Sequence, residues 1–162
     1  MSLRNHFEHV TDTLHTFVVS NYNTYLTEIS TEEGDTIPTP MIDSAKIIDG
    51  AVDIEDLNTY PVLVIAPDAV PVEYLSSGGN ALGMKYQVFI AVGGYRPTWL
   101  TKMVERYAAA LMNMIVENPT LGSGVDEATV ENIEFYLRPF AGDDEQMVRI
   151  DLQIIKEAVR GG

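Results

Sequence analysis

The chain has 162 residues, no cysteine, 24 acidic and 10 basic side chains, and a hydrophobic fraction of 46%. That length suits one domain, and the composition excludes global disorder. Disulfides, thiolate metal sites and cysteine nucleophiles are excluded, and a formal net charge of −14 argues against nucleic acid as a bound partner, since phosphate binding needs lysine and arginine stripes.

No apolar run reaches the roughly 18 residues that a membrane span needs. The stretch Met1-Ser2-Leu3-Arg4-Asn5-His6 lacks the basic and apolar regions of a signal peptide. The expectation is a soluble, cytosolic chain with no membrane partner. Its charge is uneven: residues 1–60 carry eleven acids against two bases, residues 61–120 four of each, and residues 121–162 nine against four.

In chain order, Leu3, Phe7, Val10, Leu14, Phe17, Val18, Tyr25, Leu26 and Ile29 recur at mostly helical spacing and predict an amphipathic helix over residues 3–29. Gly34 is its stop signal. Residues 30–60 form an acidic loop insertion, broken by Gly34, Pro38, Pro40 and Gly50, with one short strand at Ile47-Ile48. The continuous apolar run Pro61–Pro67 suits a strand buried on both faces. A loop ending at Ser76-Ser77-Gly78-Gly79-Asn80 leads to a strand over residues 84–92, closed by Gly93-Gly94.

Pro97 starts the clearest helix, with Thr98 or its neighbour as the cap and Pro119 beyond its end. Its apolar stripe runs from Leu100 to Ile115. Residues 131–137 and 148–154 then alternate as a hairpin around the turn Ala141-Gly142-Asp143-Asp144-Glu145. The order predicts a single α+β domain over residues 1–162, a two-layer sandwich with two helices on one face of a mixed or antiparallel sheet of about four strands.

Catalytic chemistry is hard to find in this order. His6 and His9 share a helix face at i, i+3, with Glu8 and Asp12 nearby, and His15 points elsewhere; the set reads as solvent-facing histidines rather than a metal site. Gly78-Gly79, Gly93-Gly94 and Gly122-Ser123-Gly124 match no phosphate-binding loop. Glu32-Glu33, Glu55-Asp56 and Asp143-Asp144-Glu145 lie in polar stretches where nothing predicts the burial that acid–base catalysis needs. No serine occupies a nucleophile elbow. Trp99, at the start of the long helix, reads as a core residue, with partner contact as the lesser reading. The expectation is no enzyme, no cofactor and no metal, and a protein that works by binding or assembly.

One stretch carries a resemblance. Met84–Tyr95 is a strand leading into the long helix, which exits through Asn118-Pro119-Thr120-Leu121-Gly122. A strand with Val130, Ile133 and Phe135 follows, and Val148–Ile154 alternates to close the chain. With the N-terminal helix and the length, this resembles the tail terminator (tail completion, head–tail joining) proteins of long-tailed bacteriophages, over about residues 1–29 and 61–158.

The resemblance implies a virion protein of the tail and neck, assembled in the host cytoplasm. It implies a ring, usually of six copies, that caps the tail tube protein, stops its polymerisation and offers the docking face for a neck or stopper protein. DNA is then a passing, repelled cargo. On that view part of Glu32, Glu33, Asp35, Asp143, Asp144 and Glu145 faces the lumen, where carboxylates repel phosphate. The alternatives are another neck ring component, such as a stopper or head-completion protein, and a non-viral binding module with residues 30–60 as its lid. A metal-dependent enzyme using Glu8, His6 and His9 is the remaining class.

Overall fold

Apolar residues at positions 10, 14, 18, 22, 26 and 29 fall on one face of a helix, and burying that face is what fixes the long N-terminal element. The computed structural model describes residues 3–50, 60–69, 72–74, 79–136 and 145–159. Helix α1 runs Leu3–Glu33, a turn longer than its expected end at residue 29. It stops where Gly34 adopts φ +62° and donates its N–H to the Ser30 carbonyl at 3.2 Å. Helix α2 runs Pro97–Glu117, as its proline and stripe predict, with Leu100, Met103, Val104, Tyr107, Leu111, Met114 and Ile115 buried. Its N-cap is Arg96, with no side-chain cap bond, so the expected Thr98 cap is not used.

The strands are β1 (Ile47–Asp49), β2 (Val62–Ala69), β3 (Val72–Tyr74), β4 (Gly79–Gly93), β5 (Glu127–Tyr136) and β6 (Glu145–Val159). The sheet order is β1-β2-β4-β6-β5, with β3 pairing the first part of β4. Only β1–β2 is parallel; the other pairs are antiparallel. The fold is therefore the expected α+β sandwich with a mixed, open sheet, five strands across rather than about four. The sequence reading lacked β3 and the first turns of β4, which fall in a Gly- and Ser-rich stretch that carries loop chemistry but is held in the sheet by β6 along its whole length.

Alternation sorts the two faces. Leu63, Ile65, Met84, Tyr86, Val88, Ile90, Val148, Ile150, Leu152 and Ile154 meet the helices in one core. On the opposite face Val62, Val64 and Ala91 form a smaller apolar cluster edged by Ile48, Tyr60, Phe89 and Met147. Val62–Ile65 are all at most 2% exposed, as the run buried on both faces predicts. In β5 the register slips between Val130 and Asn132, a bulge that puts Glu131 out of step. Within the described residues, no helix is long and apolar enough to cross a membrane.

Candidate assembly surfaces

The acidic segment after α1 is strapped onto the helix pair rather than loose. The Asn23 side chain makes two hydrogen bonds to Ile42: its Nδ2 donates to the Ile42 carbonyl at 2.9 Å, and its Oδ1 accepts the Ile42 N–H at 2.9 Å. Ile42 is fully buried beneath them. The Tyr107 hydroxyl donates to the Pro40 carbonyl, and the buried Tyr22 hydroxyl donates to the Tyr107 carbonyl at 2.7 Å. Burial pushes both phenols up, so they stay protonated donors at any working pH.

Asp35 closes the strap. Arg106, 7% exposed on α2, grips both of its carboxylate oxygens, donating through Nη1 at 3.0 Å and through Nη2. The guanidinium beside Asp35 holds its carboxyl below the usual carboxylate range. Asp35, expected among the lumen-facing acids, is thus an ion-paired residue in the strap.

The other proposed lumen acids divide in two. Glu32 and Glu33 are exposed and end α1, so they belong to a helix rather than a loop. Glu145 opens β6 opposite Gly93, and its carboxylate accepts the Tyr60 hydroxyl. Asp143 and Asp144 lie outside the described residues. The structure brings Glu32, Glu33 and Asp35 together at one helix end and places Glu145 on a different element.

The histidines separate as well. His6 is 4% exposed, against its solvent-facing expectation; burial lowers its pKa against a backbone hydrogen bond at Lys156, and among the described residues its Nε2 has no hydrogen-bond partner. His9 is exposed, while His15 Nδ1 lies 2.7 Å from Asp49 Oδ1 on β1. Among the described residues, no group of three or more His, Asp or Glu is arranged to hold a metal.

Two surface features stand out: the first carried no signal in the sequence, and the second includes Trp99, for which partner contact was the lesser of two readings beside core packing. On the end strand β5, Phe135 is 43% exposed, and elsewhere Met112 and Val116 are exposed on α2. At the start of α2, Trp99 is half-buried rather than in the core. The Arg96 guanidinium carbon sits 4.4 Å from the Trp99 ring centroid, and the Tyr95 ring lies 6.5 Å from it. The signal available was Tyr95-Arg96-Pro97-Thr98-Trp99 at a loop-to-helix junction, three residue types enriched at binding hot spots. The polar half of the open sheet face is internally paired: Arg149 meets Glu134 at 2.8 Å, Asp151 at 3.1 Å and the Tyr136 hydroxyl at 3.0 Å.

No family model and no curated protein matches the chain. A solved structure described as "Virion of native gene transfer agent (GTA) particle" is similar to it at 10% identity, with 87% of this chain and 95% of that chain covered and a TM-score of 0.44.

Proposed function

We propose that this chain is a structural protein of a phage-like virion, and specifically a tail terminator that works without a reaction or a cofactor. Copies close into a ring, usually of six, on the last ring of the tail tube, stop its growth and present a face to the neck. The observation that supports this reading is the element order α1, strapped acidic segment, β1-β2-β3-β4, α2, β5-β6, folded as a helix pair on one face of an open sheet. The resemblance in sequence rests on part of this order, the N-terminal helix and the elements of residues 61–158, and not on the acidic segment with β1 or on β3.

The physics of a ring fits the surfaces. A closed ring needs two different, complementary patches on each copy. Among the described residues β5 is the end strand of the open sheet and supplies a ten-residue edge, with exposed Phe135 on that strand. The acid surplus of −14 keeps the surface from binding the DNA that passes through.

The test is co-sedimentation of the purified chain with portal-free tail tubes, with negative-stain images of the tube ends. A hexameric cap at one end of each tube is the expected result. A chain that ignores tubes and binds portal complexes instead is a stopper or head-completion protein, and one that binds neither is not a neck component.

A further inference from the structure

Arg96 stands apart from the acids among the described residues. Among the described residues no carboxylate lies within ion-pair distance of it, although the sequence holds 24 acidic side chains. Its guanidinium is held over the Trp99 ring at 4.4 Å, with the 36% exposed Tyr95 ring beside it. Stacking on an aromatic face orders the planar fork while leaving its N–H donors for a carboxylate. Arginine, tryptophan and tyrosine together make an anchor of the kind found at the centre of protein interfaces.

Its position sharpens the point. Arg96 caps the N-terminus of α2, whose first turn contains no acid, so a cation faces the positive end of the helix dipole. The C-terminus of α1 has the opposite mismatch: Glu32 and Glu33 close the helix and its last turn contains no base. Both glutamates are exposed, and neither forms an ion pair among the described residues. Among the described residues each chain therefore carries an exposed cation at Arg96 and an exposed carboxylate at Glu32 that form no ion pair and stand against their own helix ends, while Glu33 beside them also feels the charge of Arg106.

We propose that Arg96, seated on Trp99, docks against the Glu32–Glu33 end of α1 in a second copy of this chain. The contact rests on the ring reading above and names one of the pairings that joins neighbouring copies. It matches cation to carboxylate and offsets both helix-end mismatches at once. A nucleobase would also stack on this cluster, but the net charge of −14 repels the phosphates attached to it.

The test is native mass spectrometry over a concentration series for the wild type, Arg96→Glu, Glu32→Lys and the two combined, with a melting temperature for each. Both single substitutions improve the match to their own helix dipole, so the melting temperature holds or rises. Assembly moves the other way: the concentration for half-assembly rises about tenfold in Arg96→Glu and severalfold in Glu32→Lys, and the combined variant recovers it. Unchanged assembly in Arg96→Glu, or no recovery in the combined variant, overturns the contact. A wild-type chain that stays monomeric at every concentration overturns it too. Tube capping is scored separately by co-sedimentation, so an Arg96→Glu chain that assembles and caps normally removes this contact and leaves the terminator reading standing.

Discussion

Gly124 lies so close to α1 that a β-carbon there would overlap the Thr13 Cγ2 methyl. Thr13 is β-branched and on a helix, so its side chain has little freedom to swing away. Gly124→Ala should cost about 1–3 kcal/mol in denaturant unfolding, and adding Thr13→Ser, which deletes the methyl, should restore most of it. The neighbouring Leu121 holds φ +48° although it is not glycine, and its 3% exposure shows burial keeping it there. His6 sets a different test. Burial lowers its pKa below 6.5, while Asp126 opposes that shift and Lys156 and His9 lie close by. The unfolded chain therefore binds the proton more readily, and stability falls as pH drops from 6.5 toward the lowered value. A melting-temperature profile over that window should slope downward toward acid, and His6→Phe should flatten it.

Among the elements, the strap after α1 is the most exposed to a single change. Asn23→Ala removes both hydrogen bonds to Ile42 and leaves two backbone groups to find other partners. A loss of about 2 kcal/mol follows from two bonds of ordinary strength. Limited proteolysis should then cut within residues 34–46 before the helices, whereas the wild type resists there. This element also marks a limit of sequence reading. Residues 30–60 read as an acidic loop because Gly34, Pro38, Pro40 and Gly50 give no period. What orders residues 34–46 is a set of single contacts from Asn23, Arg106 and Tyr107, at separations of 19, 71 and 67 residues. The stripes of α1 and α2, by contrast, were legible almost residue by residue, because a helix announces the face it buries through its period.

At the scale of the whole molecule, the sandwich is one-sided, with both helices over one sheet face and the charged pairs of Arg149 on the other. In the ring proposal Asp143 and Asp144, which lie outside the described residues, are expected to face the DNA path. Asp143→Lys with Asp144→Lys should slow genome passage, measured as the rate of DNA release from assembled particles, without altering the proposed Arg96 contact. An unchanged rate would remove both residues from the lumen. Within the expected lumen set, Asp35 is committed to the Arg106 cation, whereas Glu145 accepts a neutral Tyr60 hydroxyl and keeps its charge.

The sequence by itself determined the order of helices and strands, the two-layer class and the core faces. Each of these follows from local periodicity, turn chemistry and the alternation that separates a buried face from a wet one. Only the tertiary structure decided that β3 and the start of β4 join the sheet, that His6 is buried and that Trp99 is not in the core. It alone paired Asp35 with Arg106 and, among the described residues, left Arg96 and Glu32 without an ion pair. Those outcomes depend on which side chains meet across dozens of residues, and a charge acquires or lacks a partner only when the chain has closed on itself.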